Sequence, residues 1–149
     1  MYITDPMRLP AGNECQHSYK NPPFASRFQL VHSDRVGLER LLSLGLIGKC
    51  ANPTLIAGFL RHKLRVARYA PEPIPSTLVV AGRWISFMTT GREARWGKLT
   101  MVQCDDANCI PVTSFLGATM LGMTKLHKAP LLREDGSIDT VVVLEVGKV

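Results

Sequence analysis

The sequence predicts an α+β protein, in which a short antiparallel helical hairpin precedes a mostly antiparallel β-sheet with one short helix laid across it. Three observations carry that prediction. Apolar residues recur at helical spacing on both sides of the stretch from Gly45 to Asn52. Pro71, Pro73 and Pro75 then make a stiff break. From Leu78 onward, short apolar runs with strand spacing alternate with turn-forming residues, interrupted by one glycine-bounded helical run, Ser114 to Gly122.

Residues 1–27 are rich in Pro, Asn and polar side chains, with Pro10, Pro22 and Pro23 interrupting any period, and read as an extension with little regular structure. Residues 28–70 form the expected hairpin. Phe28 and Leu30 lead in, Ser33 or Asp34 can cap a helix of about 12 residues with Leu38, Leu41 and Leu42 on one face, and Gly45 and Gly48 close it. Asn52 as cap with Pro53 at the first helical position starts a second helix of about 18 residues, bearing Ile56, Phe59, Leu60, Lys63, Leu64 and Ala67 at helical spacing. Residues 71–149 form the expected sheet domain. Its strands are Leu78 to Ala81, Arg83 to Met88 with Trp84 and Ser86 opposite Ile85 and Phe87, Arg95 to Gln103, Lys125 to Leu132, and Ile138 to Val146. Thr89 to Arg92, Asp105 to Asn108 and Glu134 to Ser137 are the turns. Ile110 and Val112 alternate with Pro111 and Thr113, after which Ser114 can cap a helix with Leu116, Met120 and Leu121 on one face until Gly122 stops it.

The chain is 149 residues long and 46% hydrophobic, enough for one good core. No run approaches the roughly 18 apolar residues of a membrane span, and the first residues lack the basic-then-apolar order of a secretory signal, so a cytoplasmic location is expected. Reduced thiols are expected for Cys15, Cys50, Cys104 and Cys109, which contain no CxxC; a zinc site from Cys104 and Cys109 has the wrong spacing for a knuckle. The net charge of +6 is concentrated. Six basic residues (Arg40, Lys49, Arg61, Lys63, Arg65, Arg68) and no acid lie between Arg40 and Pro71, so the other 12 basic and 12 acidic residues cancel. Such a segment suits a negatively charged partner, although a charged helical face commonly serves only solvation.

Catalytic patterns are missing. Gly45-Leu-Ile-Gly48-Lys49-Cys50 stops short of a P-loop, because Ser43 stands where the first glycine is needed and Cys50 replaces Ser or Thr. The pairs Asp105-Asp106 and Glu134-Asp135 sit among turn formers and read as solvated loops. His17, His32, His62 and His127 share no metal-ligand spacing, and no Ser or Cys lies in a nucleophile motif, so neither a cofactor nor a metal is expected. Trp84 and Trp96 read as sheet core or edge packing rather than a ligand platform.

One stretch carries a resemblance. The order Ile110-Pro-Val-Thr-Ser-Phe-Leu-Gly117 followed by Met120-Leu-Gly122 is similar to the ISV-x-SPLG-x-ALLG text of the Gre transcript-cleavage factors and of the related regulator of nucleoside diphosphate kinase. Ala70 to Val80 resembles that family's link between hairpin and first strand, and Val141 to Val146 its last strand, so the resemblance covers roughly residues 30 to 149. It implies an FKBP-like sheet domain that docks on RNA polymerase at the rim of the secondary channel, with Ser114, Phe115, Leu116 and Gly117 facing the polymerase. From the residues themselves, Arg61, Lys63, Arg65 and Arg68 are the basic hairpin face that would add charge complementarity.

The departures from the family pattern are as informative. Cleavage factors carry acids at the hairpin tip that help hold magnesium in the polymerase active centre, whereas Lys49 and Cys50 stand at this tip and a lysine opposes a divalent cation. The hairpin is short, as in the kinase-regulator branch. Phe115 replaces the family proline, and Leu126-His127 replaces a Gly-Asp pair, which would reshape the binding loop. The expectation is polymerase binding without cleavage stimulation and without enzyme activity. Two alternatives belong to other classes. A peptidyl-prolyl isomerase would use an aromatic pocket drawn from Trp84, Phe87, Trp96 and Phe115, and a non-specific nucleic-acid binder would make weak, salt-dependent phosphate contacts through Arg61 to Arg68.

Overall fold

A computed structural model describes residues 28–45 and 52–148, so the extension 1–27 and the tip residues Lys49 and Cys50 lie outside the described residues. The order is β1 (Gln29–Leu30), α1 (His32–Ser43), α2 (Pro53–Val66), β2 (Arg68–Tyr69), β3 (Trp84–Thr89), β4 (Arg95–Thr100), β5 (Cys109–Pro111), α3 (Phe115–Met120), β6 (Lys128–Leu132) and β7 (Ile138–Val146). The chain is thus α+β, as its periodicities predict.

Arg35, in the first turn of α1, donates from Nη1 to the Leu64 carbonyl (3.1 Å) and from Nη2 to the Ala67 carbonyl (2.7 Å). The start of α1 therefore lies beside the end of α2, and the two helices run antiparallel. Gly45, with φ +66°, takes the left-handed conformation that follows a helix end. Two expectations fail at the helix boundaries. Neither Ser33 nor Asp34 caps α1; its cap position is Val31, and Asp34 is buried inside the first turn, where its carboxylate accepts from the Ala81 amide at 3.2 Å. The second helix ends at Val66 rather than near Ala70, because Arg68 and Tyr69 leave it to pair in parallel with Gln29 and Leu30. That two-stranded clasp ties together the chain entering and leaving the hairpin.

The main sheet has the order β5-β4-β3-β7-β6. All its pairings are antiparallel except β4 with β5, where Lys98, Leu99 and Thr100 pair in parallel with Cys109, Ile110 and Pro111. The sheet is accordingly mixed, because residues 101–108 carry the chain back along β4 rather than turning at its end. Within that loop Cys104 and Cys109 form a disulfide with Cα atoms 6.4 Å apart, which corrects the expectation of free thiols and occupies both sulfurs once considered for zinc. The turn residues behave as read: Gly91 (φ +72°) and Gly136 (φ +88°) supply the left-handed positions of their hairpins. Leu78 belongs to no strand and makes a single bridge to Thr124.

One face of the sheet carries the core. Ile85, Phe87, Leu99, Val141 and Val143 pack in one cluster with Leu38 and Leu41 of α1, Ile56 and Leu60 of α2, and Ala118, Met120 and Leu121 from α3 and its end. The hairpin, α3 and the sheet thus share one core, and burial of these side chains, about 1.5–3 kcal/mol each, holds them together.

Candidate docking groove at the start of α3

Pro111 and Ser114 set the geometry of this region. The Pro111 carbonyl accepts from the Ser114 amide (3.0 Å) and from the Ser114 hydroxyl (2.7 Å), while Ser114 Oγ accepts from the Gly117 amide (3.0 Å). Ser114 is therefore a true N-cap and sits at the strand-to-helix corner, as its position in the sequence predicts. Gly117 has a steric role. A Cβ built there would stand 2.1 Å from the Pro111 oxygen and 2.7 Å from its carbon, so only hydrogen fits between the first turn of α3 and the backbone before it. Gly117 is buried and presents no surface, which removes it from the residues able to face a partner directly.

Phe115 and Leu116 remain half-buried, and they form one wall of an open groove of about 470 Å³. Arg92 and Arg95 approach from the β3–β4 turn, and Leu132, Arg133 and Glu134 from the end of β6. Arg95 stacks its guanidinium over the Phe87 ring at 5.1 Å, and Arg133 is paired with Asp139 at 3.4 Å. Phe115 and Ser114 also line a second cavity of about 210 Å³, whose far side is Asn52 and Ile56 of α2. The groove is apolar on the α3 side and charged opposite, where Arg92, Arg95 and Arg133 stand with Glu134 and Asp135. The three arginines were not among the sequence-predicted site residues, since they are scattered through turns and only the sheet pairing assembles them.

The basic hairpin face is divided. Arg61, Arg65 and Arg68 are exposed, whereas Lys63 is 3% exposed and belongs to the interior. Its Nζ donates to the carbonyls of Ala118, Thr119 (2.9 Å) and Leu121 (2.8 Å), the acceptors at the end of α3. The ammonium also lies 4.3 Å from the Phe28 ring centroid and 5.5 Å from that of Phe59. Burial pushes the Lys63 pKa well below the ordinary lysine range, while three carbonyl oxygens favour the charged form. Removing Lys63 from the solvent-facing set corrects its assignment there. The signal was in the sequence: Lys63 shares its helical register with Ile56, Phe59, Leu60 and Ala67.

The aromatic residues weighed for an isomerase pocket do not converge. Phe87 is in the core, Phe115 lines the groove, and Trp84 and Trp96 lie on the opposite face of the sheet from Phe87, as the register of β3 with β4 shows. Neither tryptophan is in the core or on an edge strand, contrary to expectation; they are 39% and 52% exposed on two inner strands. Among the described residues no three His, Cys, Asp or Glu side chains are grouped to hold a metal ion, and no helix is long and apolar enough to cross a membrane.

No protein-family model matches the sequence, and no curated protein matches it. Solved structures do. A prokaryotic transcription elongation factor GreA/GreB from Nitrosomonas europaea superposes with a TM-score of 0.57 at 19% identity, covering 82% of this chain and 98% of that one. The GreA factor homolog 1 (Gfh1) proteins of Thermus thermophilus and Thermus aquaticus align over 82% of this chain and 99% of theirs, at 14% and 13% identity and a TM-score of 0.40, too low to support a common fold by itself. The likeness to the Nitrosomonas protein shows that this chain shares its fold.

Proposed function

We propose that this protein is a transcription regulator that binds RNA polymerase at the rim of the secondary channel and does not stimulate transcript cleavage. The observation that carries the reading is the groove: Ser114 to Gly117, within the most specific Gre-like text, is capped and pressed against Pro111 so that Phe115 and Leu116 form an apolar wall facing Arg92, Arg95 and Arg133. An apolar strip beside Arg92 and Arg95, with Glu134 and Asp135 next to them, suits a partner element that presents hydrophobic side chains and charges of both signs together. Gly117 contributes by letting α3 approach the backbone, and Phe115 and Leu116 make the contact. Exposed Arg61, Arg65 and Arg68 add positive charge that accelerates encounter.

The hairpin argues against cleavage stimulation. Its helices have 12 and 14 residues, so α2 reaches about 21 Å at a rise of about 1.5 Å per residue, and both bury their inner faces in the core they share with α3 and the sheet. Between Gly45 and Asn52 there is no carboxylate, so the tip offers none of the hard anionic ligands a second magnesium ion needs. A short hairpin of this kind favours the nucleoside diphosphate kinase regulator branch within an FKBP-like Gre group, and the protein acts by occupancy, without enzyme activity of its own.

The test is co-migration of the purified protein with core RNA polymerase, repeated with Phe115→Glu and Arg95→Glu. Both side chains line the groove, and because Phe115 also packs on the core, circular dichroism verifies that each variant folds; a Gly117 substitution would displace α3 outright. Co-migration lost in both variants supports the groove; no co-migration of the native protein ends the proposal. Added to stalled, backtracked complexes, the native protein is expected to release no short 3′ RNA fragments.

A further inference from the structure

The sheet face turned away from the helices is open, and its composition is unusual for a solvated surface. The register of β3 with β4 sets Trp84 opposite Lys98 and Ser86 opposite Trp96, so the two indoles are diagonal cross-strand neighbours, about 7–8 Å apart along the pleat. Ser86, the short side chain between them, is itself covered. Met88 follows on the same face at 39% exposure, opposite Val142 of β7, which in turn stands opposite Lys128 of β6. Lys98 and Lys128 are exposed at either side of this apolar strip. The acid on this face nearest the indoles, Glu145 opposite Ser86, is neutralised by Lys125 at 3.2 Å.

Two flat rings exposed on one face and flanked by Lys98 and Lys128 call for a partner that is both planar-aromatic and anionic. A second copy of the chain fits poorly, because apposing this face with itself would bring like-charged lysines together while Glu145, the acid opposite Ser86, is already paired with Lys125. Single-stranded nucleic acid supplies both features, since each unstacked base offers a π-face and each link a phosphate. A duplex does not, as its bases are already stacked. We propose that this face binds single-stranded nucleic acid, with Trp84 and Trp96 stacking on successive bases and Lys98 and Lys128 meeting the phosphates. This surface lies on the side of the sheet opposite the core and does not use the α3 groove, so it stands or falls independently of polymerase docking.

The protein itself provides the probe: its two tryptophans are both on this face, so fluorescence excited at the red edge, where the tyrosines do not absorb, reports from this face. The full chain is titrated with oligouridylate and with oligothymidylate of about ten nucleotides, and with a blunt duplex of equal length, at about 50 and 200 mM salt. Expected is quenching by the single strands, with affinity falling as salt rises, and much weaker binding of the duplex; equal affinity for RNA and DNA supports stacking, and a preference for either supports it with an added sugar contact. Trp96→Ala should weaken binding about five- to 150-fold, with most of the loss restored in Trp96→Phe. Lys98→Gln should reduce the slope of log affinity against log salt by about 0.7. Both sites are exposed, and circular dichroism verifies that the variants fold. Absence of quenching, or equal affinity for single strand and duplex, overturns the proposal. So does a concentration-dependent dimer whose tryptophans become shielded from acrylamide, which would assign the face to a second copy.

Discussion

Replacing Lys63 by Met is the sharpest probe of how this fold is held. Methionine fills a similar volume and keeps the apolar stem, but it removes the ammonium that donates to the carbonyls of Ala118, Thr119 and Leu121. Those oxygens close a helix of only 6 residues, which has almost no intrahelical bonding to spare. Leaving a buried acceptor without a donor costs about 1–3 kcal/mol, so three of them set a ceiling of about 3–9 kcal/mol. Two effects reduce that figure. The desolvation of a buried ammonium, several kcal/mol, is no longer incurred, and the thioether can still lie against Phe28 and Phe59. The net expectation is a loss of about 2–4 kcal/mol, because neutral carbonyls are stranded while just one charged group is removed. Urea unfolding followed by circular dichroism should show the midpoint lowered by about 1–2 M with little change in slope. An unchanged or raised midpoint would refute the reasoning, by showing that the end of α3 does not depend on the lysine and that burying its charge was a net cost.

Two other outcomes follow from single groups. Burial raises the Asp34 carboxyl to about 6, against stabilising contributions from the Ala81 amide and the Arg83 charge. The folded state therefore holds this proton more tightly than the unfolded chain does. Its contribution to stability is complete below about pH 3.8 and is lost as pH rises through about 6, an effect on the order of 3 kcal/mol. Asp34→Asn should remove that slope from the stability-versus-pH curve between these values; an identical slope in the variant would show that Asp34 is not its source. Gly117→Ala should cost more than about 3 kcal/mol, because its Cβ would meet the Pro111 backbone at 2.1 Å rather than a side chain that could move away. A melting temperature within error of the native value would show that the α3 corner is loose.

Local chemistry accounts for what could be read without coordinates. Pro53 at the start of its helix, the Ser114 cap, Gly91 and Gly136 each act over a few residues, and each has the predicted place in the structure, whereas Asn52 holds the cap position without a side-chain hydrogen bond. Period-two text in β3 puts Ile85 and Phe87 inward and Trp84 outward for the same reason. Readings that depended on what lay across the fold were less secure. Asp34 looked like a cap and was drawn instead to the Ala81 amide, 47 residues away, and the second helix gave up its last turn to the pairing of Arg68 and Tyr69 with β1.

The α+β class, the two helices of the hairpin, the strands around Ile85, Leu99 and Val143 and the capped corner at Ser114 were legible in the sequence, because helical and strand periods, caps and turns are properties of neighbouring residues; the β1–β2 clasp and the absence of a strand at Leu78 to Ala81 were not. Tertiary structure alone decided that Lys63 is interior, that Gly117 is a packing residue, that Arg92, Arg95 and Arg133 meet across a groove, and that the two tryptophans share an open face. The physical reason is that burial and proximity belong to pairs of residues far apart in the chain. A lysine on an apolar stripe is outside or inside according to whether three carbonyls wait for it, and that depends on where another helix ends.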